Sequence, residues 1–540
     1  MEKTVTVNKL TSHVASAHIV LPEKEKASKK GGGVELKNET ESIINETSVE
    51  TNTSKVKVLF CISEAQPYCA TGGLGEVGGS LPKAFGKYCE GDVDIRVMVP
   101  LYQVVASEVR KKMKFLGHTN VNIYSQSEYC GVFELREHGI VYYFLDNERF
   151  FKRDMLYGFD DDNQRFAFFS KACLDTFGLT GFIPDIIHAN DWHTALSVVY
   201  LKTIYAEHKV FSKVKSVFTL HNINFQGNCE YSNLLDVFGL DYKYKNVLEY
   251  NGQLNLVKGA IDCCDMYNTV SPNYAEEIKT STFGMGLEEC VNRNAHKLSG
   301  ILNGIDYDFY NPKRDKEIFV NFDEKTLDKK IVNKHGIQKL FHMQVDETIP
   351  ILLYNGRLTG QKGIDLIKDS IDTILTGRIQ MVVMGNGEKR YENFLDYVEG
   401  KYQGKFKAVR YSNNLSKKLY AAADLVLMPS YFEPCGLCQM IASRYGAIPI
   451  VRETGGLKDS IRDFGCEGGG NGYTFANYNV GDMVYSIKRA VQDFYNDGPE
   501  WINKIRTVIK VDFSWKRTVK DYYSLYKKLK KPKVAKKQKA

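Results

Sequence analysis

The sequence predicts an α/β protein with two Rossmann-like, doubly wound parallel-sheet domains facing each other across a cleft. Three observations predict it. Short, continuous apolar runs alternate with longer helical patterns, as parallel strands covered on both faces require. The alternation begins at Val56, pauses, and restarts at Ile349. Glycine-rich or charged segments follow the strand runs in both halves, where open parallel sheets hold their ligands.

Residues 1–54 are rich in Ser, Thr, Asn, Glu and Lys without an apolar period, and read as a disordered extension. They hold no apolar h-region of a secretory signal, and their acids argue against an organelle transit peptide. Asn38, Asn45 and Asn52 stand in N-x-[ST] frames, which chance supplies in so polar a segment. Strands are predicted at 56–62, 95–99, 140–145, 186–188, 216–220 and 266–269, with helices such as 165–177 and 194–205 between them. A second series follows at 349–354, 379–384, 406–410, 425–428 and 448–451, with a helix at 415–423. These define a first domain over 55–304 and a second over 305–500, with a hinge between 304 and 349. Helices over 501–529 close the fold, and 530–540 form a basic tail.

The 540 residues are 43% hydrophobic and 25% charged, which suits a soluble protein with a sizeable core. No run of apolar residues is long enough to span a bilayer. The net charge of +7 comes from the lysines between Lys527 and Lys539, so it does not point to nucleic acid. Twelve cysteines without a repeating spacing read as reduced thiols of a cytosolic enzyme. Cys435 and Cys438 form a C-x-x-C, but no thioredoxin-sized unit frames it and no second ligand pair completes a zinc site.

Gly73-Leu74-Gly75-Glu76-Val77-Gly78 matches G-x-G-x-x-G. A dinucleotide fingerprint begins where its strand ends; here a long loop intervenes, which counts against a nicotinamide enzyme. The remaining readings are a plain loop, or a glycine loop and helix start near Glu76 set close to an anionic ligand. His188, Asn190, Asp191, Trp192 and His193 allow structural packing, sugar binding or a metal, although the H-E-x-x-H spacing is missing. His221-Asn222 repeats a His–polar element after the next strand. Arg357 and Lys362 follow the first strand of the second half, where a fork of donors and a point charge suit a diphosphate; two surface cations are the alternative. Glu433 is held between Phe432 and Pro434, and Gly436 opens a helix whose amides suit phosphate. Thr454-Gly455-Gly456-Leu457 adds another loop on the same edge.

Together these segments resemble the glycogen and starch synthases, retaining GT-B glucosyltransferases that extend α-1,4-glucan. The resemblance covers about residues 55–525. Besides the motifs above it rests on Ser63-Glu64-Ala65-Gln66-Pro67, Val270-Ser271-Pro272, Phe283-Gly284-Met285-Gly286-Leu287, Gly300 to Asp306, Gly356 to Gly363 and Phe432 to Leu437. It implies that Arg357 and Lys362 neutralise the leaving diphosphate and that Glu433 binds donor-glucose hydroxyls. It implies that Cys435, Gly436 and Leu437 line that pocket, and that His221 and Asp191 reach the sugar from the opposite domain. Gly72, Gly73, Glu76, His193 and Asn222 complete the implied substrate-binding set. The implied partners are ADP-glucose, or else UDP-glucose, and an α-1,4-glucan, with no cofactor, no metal, no nucleic acid and no membrane. The implied compartment is the cytoplasm, with a plastid as the alternative.

The chain departs from the family pattern at Ala70, where a lysine is usual, at Glu76, where aspartate is usual, and at Tyr431, where arginine is usual. These departures leave a second reading, a weakly active or non-catalytic glucan-binding homologue. The retained Arg357, Lys362, Glu433 and His221 weigh against it. A phosphorylase would need a pyridoxal-phosphate lysine context that is not found.

Overall fold

The apolar run at 56–62 forms the middle strand of the first sheet. The computed structural model describes residues 55–123, 126–496 and 498–530; the expectations for 1–54 and for the lysines beyond 530 lie outside these. The first lobe contains β1 (Val56–Cys61), β2 (Val93–Pro100), β3 (Lys114–Ile123), β4 (Gln126–Glu137), β5 (Ile140–Asp146), β6 (Ile186–Asn190) and β7 (Lys215–Leu220). The short β8 (Asn228–Cys229), β9 (Glu249–Tyr250) and β10 (Gln253–Asn255) form a small separate sheet, and β11 (Met266–Thr269) and β12 (Leu298–Gly300) complete the main one.

The main sheet has nine strands in the order β12-β11-β7-β6-β1-β2-β5-β4-β3. From β12 to β5 the pairs are parallel, while β4 and β3 add an antiparallel hairpin at the edge. The parallel-strand reading did not include this hairpin. The apolar run of β4, Tyr129–Phe133, is flanked by polar and charged residues on both sides, and β3 is rich in polar residues and mostly solvent-facing at the sheet edge. Strand β6 runs two residues past its predicted end, so His188 and Asn190 are strand residues with buried side chains.

The second sheet is β13 (Ile351–Asn355), β14 (Gln380–Met384), β15 (Phe406–Val409), β16 (Leu425–Met428), β17 (Ile448–Arg452) and β18 (Tyr473–Phe475), ordered β15-β14-β13-β16-β17-β18 and parallel throughout. Strand order reverses beside β1 in the first sheet and beside β13 in the second, and such reversals open a crevice at the strand C-termini.

Each sheet has its own hydrophobic core. The two closing helices divide between them. Trp501, Ile505 and Val508 of the helix Gly498–Lys510 pack in the second core, whereas Trp515, Val519, Tyr522 and Tyr526 of the helix Trp515–Lys530 pack in the first. The chain thus crosses between lobes twice, and the crossings lie side by side: the Ile305 amide donates to the Phe513 carbonyl at 2.8 Å, and the Thr518 hydroxyl to the Leu302 carbonyl at 2.7 Å.

Candidate active site

The candidate segments all follow strand C-termini, and the two sets meet. A Cβ built on Gly73 would lie 3.8 Å from a methyl of Leu437, so the glycine loop faces the loop after β16. The rings of Phe283 and Tyr431 approach to 6.0 Å between centroids, again one from each lobe.

In the first lobe the loop after β1 is held from below. The buried Glu64 carboxylate accepts hydrogen bonds from the Thr71 amide (2.6 Å), the Gly72 amide (3.3 Å), the Thr71 hydroxyl (2.9 Å) and the Tyr157 hydroxyl (2.8 Å). Two amides of the loop are therefore already satisfied by this side chain. The helix Gly73–Tyr88 begins three residues earlier than read from sequence, and the Gly72 and Gly73 positions stay exposed. Glu76, on its first turn, is buried. It accepts from the Ser80 hydroxyl at 3.1 Å and from the Asp306 amide of the interlobe linker.

After β6, Asp191 has φ 56° and ψ 178°. That region is close to glycine-only, and such strain persists where surrounding structure enforces it. Here the His221 amide donates to its carboxylate at 2.7 Å, and its own amide donates to the Thr219 carbonyl at 2.9 Å. The Asn190 side-chain NH2 donates to the carbonyls of Cys61 (3.0 Å) and His188 (3.3 Å), so its oxygen faces His221 Nε2 at 2.9 Å. The network assigns the proton to Nε2 and leaves Nδ1 as an acceptor for an incoming hydroxyl. Burial lowers the pKa of His221 to about 3, so the ring is neutral at physiological pH.

The other histidines differ. His188 lies between the sheet and the last helix, bonded to Tyr526 (2.7 Å) and Thr219 (2.6 Å), and is structural. His193 is stacked on Tyr157 at 4.5 Å, with its buried Nδ1 unpartnered. The Asn222 side-chain oxygen accepts from the Asn224 amide at 3.0 Å, shaping the turn after β7.

In the second lobe, Lys362 Nζ and Glu433 Oε2 are 2.5 Å apart, and the Ser430 hydroxyl donates to the same oxygen at 3.0 Å. Arg357 is exposed and forms no ion pair among the described residues. Gly436 has φ 72°, and a Cβ there would clash with the Gln439 side chain at 2.6 Å, so the turn requires glycine. The Cys435 thiol is buried against the Asn303 amide of the linker, and burial raises its pKa to about 12. Of Cys435, Gly436 and Leu437, it is Leu437 whose side chain meets the glycine loop, at Gly73. All twelve cysteines are unpaired. Among the described residues no group of three or more His, Cys, Asp or Glu side chains is gathered as a metal site would need.

Tyr274 connects the halves electrostatically. Burial raises its hydroxyl pKa far above the usual value; the Ile223 amide opposes this, and the charges of Asp191, Glu277 and Glu433 add to it. The sequence places Asn190 in a candidate motif without giving it a role of its own, and it indicates neither the clamp formed by Glu64 nor Glu277. Glu64 stands in the Ser63–Pro67 motif, but nothing in that motif indicates which amides it holds.

Burial raises both Asp191 and Glu76 to about 7. In the unfolded chain these groups ionise near pH 4. Their stabilising contribution is therefore complete below about pH 4 and is lost as pH rises through 7. Asp191→Asn removes one of the two titrations. Its melting temperature is expected to fall less than wild type's between pH 5 and 8, whatever constant offset the lost acceptor adds. Parallel curves in differential scanning calorimetry would refute a raised Asp191.

Comparison with known proteins gives the family. Residues 57–293 match the starch synthase catalytic domain family, and residues 338–506 match glycosyl transferases group 1. A glycogen synthase of Clostridium botulinum strain Alaska E43 is 43% identical over 479 residues, covering 88% of this chain and 99% of that protein. The chain belongs to the glycogen synthase and starch synthase family. A glycogen synthase of Anoxybacillus flavithermus is 41% identical over 88% of this chain and 98% of its own. Among solved structures, the catalytic domain of starch synthase IV from Arabidopsis thaliana, bound to ADP and acarbose, has a TM-score of 0.82 at 32% identity, covering 88% of this chain and 99% of that one. A sucrose-phosphate synthase from Thermosynechococcus elongatus, at 15% identity and a TM-score of 0.55, shares the fold. The protein is a GT-B glucosyltransferase that uses a nucleotide-sugar donor and a glucan acceptor. No helix among the described residues is long and apolar enough to cross a membrane.

Proposed function

We propose that the donor is ADP-glucose and that glucose is added with retention to the non-reducing end of an α-1,4-glucan. The observation that carries this reading is the Lys362–Glu433 pair after the strands of the second sheet, together with the His221–Asp191–Asn190 network after the strands of the first, in lobes whose strand-end loops touch at Gly73 and Leu437 and at Phe283 and Tyr431. The solved starch synthase carries ADP, which favours ADP over UDP. In this reading the donor sugar's hydroxyls take over the acceptors on Glu433 and His221 Nδ1. Lys362 and Arg357 then meet the charge that builds on the leaving diphosphate, so fixed cations do the work that a metal ion does elsewhere. Approach of the lobes completes the site and excludes water. Twelve unpaired thiols suit a reducing compartment, and we place the enzyme in the cytosol.

The test is transfer of labelled glucose to glycogen from ADP-glucose and from UDP-glucose, each with and without EDTA. Transfer from ADP-glucose is expected to be the faster and to survive chelation. Loss of transfer with EDTA, restored by Mg²⁺ or Mn²⁺, would overturn the charge-neutralisation scheme. Faster transfer from UDP-glucose would overturn the donor assignment alone.

A further inference from the structure

Glu277 ends the helix Pro272–Glu277 of the first lobe, yet its carboxylate is bonded to the second. Its Oε1 accepts from the Gly455 amide at 2.9 Å, from the Thr454 hydroxyl at 3.0 Å and from its neighbour Asn273 at 2.9 Å; the Thr454 hydroxyl is 3.3 Å from Oε2. A second bond joins the helix Pro272–Glu277 to the helix Gly455–Ser460, from the Asn273 amide to Asp459 at 2.8 Å.

The turn that Glu277 grips lies directly behind the donor residues. The Gly456 amide donates to the Glu433 carbonyl at 3.0 Å. A Cβ on Gly455 would fall 1.9 Å from that carbonyl oxygen, and one on Gly456 would fall 2.2 Å from the Cys435 oxygen. With no slack between the turn and residues 433–435, moving the turn moves the Glu433 backbone. The Glu433 side chain is the one paired with Lys362. Arg452, at the end of β17, faces Glu277 as well, while its guanidinium bonds to the Tyr431 carbonyl.

We propose that Glu277 is a positioning residue for the donor site: reaching from the first lobe, it sets the 454–456 turn and through it Glu433, so the glucose-binding carboxylate takes its place only when the lobes are together. The inference rests on the donor-site reading of Lys362 and Glu433. The contact is a hydrogen bond between lobes, so it forms on closure and is lost on opening, which couples closure to assembly of the site.

The experiment compares Glu277→Ala, Glu277→Gln, Thr454→Val and the Glu277→Ala/Thr454→Val double variant with wild type. Glu277→Ala is expected to lower kcat by about tenfold while leaving the acceptor KM unchanged. Glu277→Gln keeps an acceptor oxygen and is expected to recover to within about threefold of wild type. The double variant should be no worse than Glu277→Ala, because both changes break one interaction. In parallel, hydrogen exchange over 430–437 is measured with ADP bound, and Glu277→Ala is expected to exchange faster there. Wild-type kcat in Glu277→Ala, equal loss in the Gln and Ala variants, or additive losses in the double variant would each overturn the proposal. If wild type transfers no glucose, the donor-site reading fails by itself, and the exchange measurement still decides whether Glu277 orders residues 430–437.

Discussion

Lys362→Ala is expected to lower kcat/KM by about 10²–10³, the usual loss when one preorganised charge-stabilising donor is removed. Arg357→Ala should lose about as much, but the two variants should differ in stability. Lys362 lies against the nearly buried carboxylate of Glu433, whose other side-chain donor is Ser430. Removing the lysine leaves that carboxylate short of a partner, at about 1–3 kcal/mol. Arg357 is exposed and unpaired among the described residues, so its removal should stay within about 0.5 kcal/mol. Steady-state kinetics and thermal melts on the same preparations read both effects. A donor with a different leaving group separates the roles further. With α-glucosyl fluoride there is no diphosphate to neutralise, so the Arg357→Ala deficit should largely vanish, while Lys362→Ala keeps the part that comes from a misplaced Glu433. Near-normal turnover of ADP-glucose by a folded Arg357→Ala or Lys362→Ala variant would remove that residue from the diphosphate.

Where a structural signal lies within one segment, the sequence shows it. Strand β13, Ile351–Asn355, opens with the unbroken buried apolar run Ile351–Tyr354, and its place just before Gly356 and Arg357 is readable without a structure. The antiparallel hairpin of β3 and β4 is not readable in this way, because β3, the edge strand, has no long apolar run and the run in β4 is short and flanked by charged and polar residues. Site residues divide along the same line. His221, Glu433 and Lys362 stand out as candidates in the sequence because each comes soon after a predicted strand. What they touch is not found, because the partners lie far along the chain: Lys362 and Glu433 are 71 residues apart, and Glu277 and Gly455 are 178 apart. Glu64 shows the limit most clearly. Its partners are mainly backbone amides and hydroxyls of a loop, and no residue pattern encodes which amides will point at a carboxylate. His188 shows the converse. Its surroundings in sequence suggest chemistry, but the last helix, more than 300 residues later, takes up its ring.

Ala70→Lys is expected to raise kcat/KM by about ten- to a hundredfold, as one added charge-assisted contact to the leaving diphosphate would. Ala70 is exposed at the start of the glycine loop, and the neighbouring Gly72 position has open space around it, so an extended lysine has room to reach the cleft. The site does not already contain a substitute in Lys83. That residue lies on the later turns of the helix Gly73–Tyr88 and lines a cavity of about 810 Å³ with Ser80, Lys87, Asp306 and Asp308, beside the interlobe linker. Lys83→Ala should therefore leave kcat/KM unchanged, and it serves as the control. One neighbour competes for the new cation. Glu64 lies just beneath the loop, and a Cβ on Gly75 would sit 2.3 Å from Ala70 Cβ and 3.1 Å from the Glu64 carboxylate. A lysine folding back to that carboxylate would draw it from the Thr71 and Gly72 amides and loosen the loop. The outcomes separate cleanly. A gain in kcat/KM of tenfold or more means that the wild-type site lacks a cation. A loss, recovered by adding Glu64→Gln, means that the lysine has turned inward. Unchanged kinetics in a folded variant would show that this loop does not carry position 70 to the diphosphate, and the expected rate deficit at Ala70 would be withdrawn.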